Sequence, residues 1–444
     1  MASPITDWRP EDPVFWEQTG KRVAWRTLII TTLSLVLSFA TWFVMSAIVV
    51  RLPGIGFQFS EMQLFWLAAM PGLAGGTLRL IHTFLVPVFG TRNVVTVATL
   101  IKLLPCLGLG FAILNPSTPF WLFMVLAFLA GFGGGDFSSF MPSTSIFFPK
   151  RLQGTALGIQ AGIGNFGVSL TQFVTPWIIS FAVAGGLFGE AQVFRKGQQT
   201  SPIWLQNAVF WYVPFLIILG GVSWLGLRRV PVRATFREQL DIFKNRHTYF
   251  CTATYIMTFG SFSGLSAAFP LLIKTVYGQF EEAPDPLKYA YLGPLIGSAM
   301  RVIAGPLTDR FGGGIFTQLC GLGLMAGAAV LGFSRCLTPA SLDQFPLFVG
   351  VMLAMFFFTG IGNAATFRQF PVIFSHSPRQ AAGVIGFTAA VAAYGPFLFS
   401  TLIGQSKTAL GSAKPFFIGL MVYCIIATAI NWWFYTRRGA EKPS

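Results

Sequence analysis

Apolar residues in this chain are gathered into long blocks, each near the length that crosses a bilayer. They fall at about 27–50, 62–88, 94–114, 119–148, 154–184 and 205–227, then at about 248–276, 287–308, 314–335, 345–374, 380–404 and 414–436. The pattern predicts an all-α membrane protein with six plus six spanning helices. The blocks divide the sequence into an N-terminal tail (1–26), a first half (27–227), a basic linker (228–246), a second half (247–436) and a C-terminal tail (437–444). The runs at 119–148 and 154–184 are long enough to tilt or protrude.

The two sets echo each other. The second run reads Gly75-Gly76-Thr-Leu-Arg79-Leu-Ile and the eighth Gly297-Ser298-Ala-Met-Arg301-Val-Ile, with small residues before an arginine at matching spacing. Repeated six-helix halves are the architecture of transporters that rock about a site at the bilayer midplane.

Composition agrees with lipid as the solvent. Of 444 residues 54% are hydrophobic and 10% charged, against about 25% charged in soluble domains. A formal net charge of +15 would suggest nucleic acid in a soluble protein. Here the basic residues sit at helix ends and in short loops, so no nucleic-acid partner is expected. The linker holds Arg228, Arg229, Arg233, Arg237, Lys244 and Arg246, and the tails hold Lys21, Arg22, Arg26, Arg437, Arg438 and Lys442. An excess of Lys and Arg marks cytoplasmic segments, so both termini are expected in the cytoplasm of a multi-pass inner-membrane protein. Residues 1–26 read as polar and aromatic, with no cleavable signal.

Candidate chemistry is sparse. The five cysteines (Cys106, Cys251, Cys320, Cys336, Cys424) are dispersed and read as buried thiols. The histidines, His82, His247 and His376, are scattered. No metal-ligand cluster, cofactor motif or nucleophile–base set emerges, so neither a cofactor nor a catalysed reaction is expected. Arg79 and Arg301 dominate, because an arginine well inside a span is expensive and by default functional. Asp136 is the only carboxylate placed deep in a span, and it cannot neutralise both arginines and Lys102 as well. Surplus positive charge in the core calls for a mobile anion, and a guanidinium fork fits flat oxyanions through parallel hydrogen bonds. Phe137 and Phe367, at comparable depth in opposite halves, are placed to sandwich a small flat solute, with Tyr255 and Asn165 as neutral donors. Glycines at 158 and 162, followed by Gly164 and Gly167, clear a helix face for close approach or sliding.

At these residues the sequence resembles the nitrate/nitrite porter (NarK-type) family of the major facilitator superfamily over nearly its whole length. The resemblance begins at Trp8-Arg-Pro-Glu-Asp-Pro-Val-Phe-Trp-Glu, and its most specific stretch is Gly133-Gly-Gly-Asp-Phe-Ser-Ser-Phe-Met, continuing to Gly164-Asn-Phe-Gly. The segment Gly305-Pro-Leu-Thr-Asp309-Arg310-Phe-Gly312 resembles the superfamily's cytoplasmic-loop motif, a gating and packing element. The resemblance implies a major facilitator fold of twelve transmembrane helices. It implies that Arg79 and Arg301 clasp nitrate or nitrite, that Phe137 and Phe367 stack on it, and that Asn165 and Tyr255 donate hydrogen bonds. The expected activity is nitrate/nitrite antiport by a monomer, with nitrate/proton symport as the alternative. Three positions depart from the family pattern. Asp136 stands where Asn is usual, His82 where an aromatic is usual, and the helix beginning Gly386-Phe-Thr-Ala-Ala has lost glycines. Asp136 and Lys102 form either a structural couple or, with His82, a proton-coupling group.

Overall fold

We describe a computed structural model covering residue 5 and residues 7–183, 189–229 and 241–444. Arg233 and Arg237 of the basic linker, and the end of the fifth run at residue 184, lie outside the described residues. Among the described residues ten helical segments are long and apolar enough to cross a membrane: α1 (Pro13–Ile48), α2 (Glu61–Thr83), α3 (Val88–Leu114), α4 (Phe120–Phe147), α6 (Asn207–Gly226), α7 (Arg246–Tyr277), α9 (Gly313–Phe333), α10 (Leu342–Ile373), α11 (Gln380–Leu410) and α12 (Lys414–Thr436). Two further long helices, α5 (Lys150–Ile178) and α8 (Leu292–Phe311), complete twelve. They carry more polar side chains and pack against each other. A polar face is tolerated at membrane depth where protein, rather than lipid, covers it.

Local chemistry sets the helix starts. Asp12 accepts from the backbone N–H of Val14 and Phe15 ahead of α1. Ser60 and Gln63 close a reciprocal capping box on α2, and Asn245 accepts from His247 N–H at α7. The first helix therefore begins at Pro13, well before the apolar run, and its early turns bury Trp16, Val23 and Ala24 against Phe147, Phe148 and Ala156. The fourth run is not one helix. Turns at Gly131 and Asp136 break it into Phe120–Ala130, Phe132–Gly135 and Phe137–Phe147.

The repeat is visible in the backbone. Gly90, between α2 and α3, has φ 75° and ψ 157°. Gly312, between α8 and α9, has φ 90° and ψ 146°. The two glycines are separated by the same number of residues as Arg79 and Arg301. Only glycine enters this region cheaply, so the same turn is built twice.

The halves meet through α2 against α11, α5 against α8 and α1 against α7. The chain ends lie on one side, the terminal face, where Ile5 N–H bonds Arg229 O and Gly314 N–H bonds Ser444 O. On the opposite face a hairpin, β1 (Gln192–Lys196) and β2 (Gln199–Ile203), pairs antiparallel with Gln192 across from Ile203. Large apolar side chains such as Trp121, Ile218, Leu225 and Phe333 stand exposed on the flanks, as lipid contact requires. All five cysteines are buried and free.

Candidate functional site: two guanidiniums between aromatic rings

Arg79 is fully buried on α2. Its Nε donates to Gly134 O of α4 at 2.8 Å, and its Nη1 donates to Ala389 O of α11, in the other half, at 2.7 Å. Three rings wall the guanidinium, with its carbon 4.8 Å from the centroid of Phe137, 5.2 Å from Phe259 and 5.4 Å from Trp42. Nη2 has no hydrogen-bond partner.

Arg301 on α8 is 6% exposed. Its guanidinium carbon lies 4.9 Å from the Phe367 centroid, and Nη1 has no partner. The two arginines lie within electrostatic reach of each other and of the Tyr255 hydroxyl. Among the described residues neither enters an ion pair. Each ring contact contributes on the order of 0.5–2 kcal/mol, which does not offset a second cation in the same dry space.

Of the sequence-predicted binding residues, Arg79, Arg301, Phe137, Phe367 and Tyr255 are linked by ring and electrostatic contacts. The Phe137 and Phe367 rings meet edge to face across the halves, with centroids 6.3 Å apart. Tyr255 packs edge-on against Phe367 at 5.5 Å, and its hydroxyl has no partner. Asn165 is buried with both amide atoms unpartnered. Unpaired polar atoms in a core are costly, so these groups stand out from ordinary packing. The free donors suit a solute with several acceptor oxygens, and the perpendicular Phe137 and Phe367 rings differ from the parallel sandwich the sequence suggested.

Five residues escaped the sequence reading. Phe259 stacks on Tyr255 at 5.5 Å and 8°, and Trp42 is held by its indole N–H on Pro71 O; nothing distinguishes either from ordinary packing in a chain with 48 Phe and 12 Trp. The Gly134 and Ala389 carbonyls depend on where helices approach. Asn363, buried on α10 one turn from Phe367 with both amide atoms free, had a signal. The tetrapeptide Gly-Ile-Gly-Asn occurs at Gly162–Asn165 and again at Gly360–Asn363.

The remaining candidates lie elsewhere. Asp136 and Lys102 form a buried ion pair behind α4, and His82 bonds Ser139 Oγ at 3.0 Å. On α5, a Cβ at Gly162 would meet Val302 of α8, one at Gly164 would meet Leu35 and one at Gly167 would meet Val36 O, whereas Gly158 faces open space. Gly305, Asp309, Arg310 and Gly312 sit toward the terminal end of α8, where Asp309 pairs with Arg368 Nε at 3.1 Å.

Comparison with known proteins follows this geometry. Residues 28–400 match the Major Facilitator Superfamily. The chain is similar to the probable nitrate/nitrite antiporter NarK2 of Thermus thermophilus, 61% identical over 99% of this chain and 98% of that protein. It is also similar to the nitrate/nitrite transporter NarU of Escherichia coli K12, at 36% over 98% and 96%. Among solved structures, a bacterial homologue of the human lysosomal transporter Spinster aligns with TM-score 0.66 at 14% identity, covering 92% of this chain and 96% of that one. A D-xylose–proton symporter aligns with TM-score 0.64 at 16%, over 92% and 97%. The two structures share the fold alone. With the full-length sequence matches, they establish that this chain belongs to the major facilitator superfamily and, within it, to the NarK-type nitrate/nitrite porter family.

Proposed function

We propose that this chain is a secondary transporter that exchanges nitrate and nitrite across the cytoplasmic membrane. The halves 27–227 and 247–436 rock about a site between Arg79 and Arg301, and the basic linker puts the terminal face in the cytoplasm. One observation carries the reading. Two buried guanidiniums share one aromatic-walled space with no carboxylate of their own among the described residues. The names of the NarK2 and NarU relatives, nitrate/nitrite antiporter and nitrate/nitrite transporter, point to the same anions.

In this mechanism the free Nη atoms of Arg79 and Arg301 bind the oxyanion edge, and Phe137 and Phe367, which lie edge to face rather than in the expected parallel sandwich, wall the site. Tyr255, Asn165 and Asn363 satisfy the remaining oxygens. With no anion present, the two like charges resist closure of the halves in a low dielectric. A bound monoanion relieves that repulsion, so each reorientation needs a passenger. No bond is made or broken in the solute, a monomer suffices, and no cofactor is required. His82 beside Asp136 favours nitrate/proton symport as the second reading.

Proteoliposomes test both readings. Labelled nitrate is expected to enter nitrite-loaded vesicles far faster than nitrite-free ones. Arg79→Lys and Arg301→Lys keep the charge but lose the fork, and each is expected to weaken nitrate binding by about ten- to hundredfold. Normal binding by either variant overturns the site. Equal uptake into loaded and nitrite-free vesicles, accompanied by movement of protons, replaces exchange with symport.

A further inference from the structure

Behind the arginine site lies a charged cluster that the transport scheme does not use. Lys102 and Asp136 are both essentially fully buried and form a hydrogen-bonded ion pair between α3 and α4. Lys102 Nζ also donates to Ala98 O at 2.6 Å. Ser38 of α1 donates to the same carboxylate oxygen at 2.6 Å. The other oxygen lies 3.8 Å from Nδ1 of His82 on α2. His82 in turn bonds Ser139 of α4 and lies within electrostatic reach of Asp136, Lys102 and Arg79. Four helices of the first half thus converge on one carboxylate.

Stability does not account for this arrangement. A buried ion pair repays its desolvation poorly, and apolar residues of similar volume often serve as well or better. Its position in the chain is more informative. Asp136 is itself the turn that breaks α4. Two residues before it, Gly134 O accepts from Arg79 Nε; immediately after it, Phe137 stacks on the same guanidinium. The approach here is backbone on backbone. A Cβ at Gly133 would lie 2.1 Å from Ser38 O, and one at Gly134 would lie 2.7 Å from Gly75 Cα. With so little side chain to hold the segment, the carboxylate is its anchor.

We propose that Lys102–Asp136 is a charge-balanced positioning pair. It fixes the Gly134–Phe137 segment against Arg79 and cancels a carboxylate that would otherwise compete with the transported anion. The proposal rests on the anion-exchange reading above. It makes the two single substitutions act in opposite directions. Lys102→Met exposes a tethered negative charge beside the guanidinium, whereas Asp136→Asn adds an uncancelled positive one. For any charge about 10 Å from an anion in an effective dielectric of about 20, Coulomb's law gives a change in affinity of about tenfold.

The test measures nitrate Kd, and KM and Vmax of exchange, in mildly alkaline buffer. It uses wild type, Lys102→Met, Asp136→Asn and the double variant, each checked for its melting temperature. The expected result is a KM raised about tenfold in Lys102→Met and lowered severalfold in Asp136→Asn, with slower turnover in the latter as the anion leaves reluctantly. In the double variant, KM returns to within about threefold of wild type. A purely structural pair would weaken binding in both single variants, and that outcome overturns the proposal, as does a double variant no closer to wild type than the worse single. If Lys102→Met does not fold, Asp136→Asn and the double variant still decide, because the proposal requires the first to bind tighter and the second to revert. If wild type binds no nitrate while remaining folded, the anion reading fails and the pair's role fails with it. Same-sign shifts on a nitrate-binding wild type sink the pair alone.

Discussion

At the opposite face the halves are held by side chains that reach across. Arg51, at the end of α1, gives Nη2 to both oxygens of Asp285 at 2.8 and 2.6 Å. Lys274 of α7 donates to Val50 O, and Lys196 of the hairpin donates to Ala283 O, each at 2.6 Å. Lys407 of α11 pairs with Glu61 of α2 at 3.0 Å, and Gln172 of α5 bonds Ser266 O of α7. At the terminal face several glycines border open space. Added Cβ atoms at Gly154 and Gly158 of α5, Gly305 of α8 and Gly386 of α11 would meet nothing within 4 Å. The polar ties described there stay within one half or the linker, such as Arg246 with Glu441 and Gln380 with Asp241. Among the described residues the two faces therefore differ: side chains tie the halves at the opposite face, and the terminal face is open beside the glycines of α5, α8 and α11. The glycine stripe of α5 crosses from one regime to the other along a single helix.

That stripe gives the largest test. A Cβ at Gly167 would lie 2.1 Å from Val36 O, a backbone atom that has little room to give. Gly167→Ala is expected to destabilise by about 1–3 kcal/mol and to cut folded yield in a thermal-shift assay. Gly158→Ala, in open space, is expected to hold or raise the melting temperature, because alanine favours helix by about 1 kcal/mol over glycine. If the cleft must close during the cycle, the same variant slows exchange while leaving nitrate affinity unchanged. Equal destabilisation at both positions would erase the contrast.

A smaller effect is expected at the latch. Arg51→Gln removes a mostly buried charged pair, worth about 1–2 kcal/mol, and so shifts the ratio of closed to open forms by about five- to thirtyfold. The measurement is the labelling rate of a cysteine placed at Ser266 by a membrane-impermeant maleimide. Labelling should rise in Arg51→Gln and fall again in the swapped pair Arg51→Asp with Asp285→Arg. Unchanged labelling would make the latch decorative.

The smallest effect lies at the terminal face. The Arg246 guanidinium, helped by His247, holds the Glu441 carboxyl below the usual carboxylate range. A depressed carboxylate stabilises above its unfolded pKa and loses that contribution as pH falls through the folded one. Glu441→Gln should therefore shift melting by about 1 °C at neutral pH and by less in acid. A larger shift in acid would reverse the assignment.

Much of this could be read from the chain because membranes impose long apolar blocks. The two arginines stood out as rare charges in that background, and Phe137 and Phe367 pack against their guanidiniums. What escaped depends on contacts between distant segments. Arg51 and Asp285 lie in different halves with no local pattern joining them. The hairpin at 192–203 falls in the gap between two apolar blocks, and the break at Asp136 lay hidden inside a continuous hydrophobic run. Asn363 escaped although its tetrapeptide was printed twice.

The unpaired guanidiniums have an electrical consequence. Swapping one monoanion for another moves no net charge through a full cycle, so steady exchange should carry no sustained current. The loaded site nevertheless keeps one surplus positive charge, since two arginines meet one passenger. A charge crossing the whole field is worth about 2.3 kcal/mol per 100 mV. A rocking step that carries the site through part of that field should therefore give a brief capacitive current on a voltage jump, with no sustained current behind it.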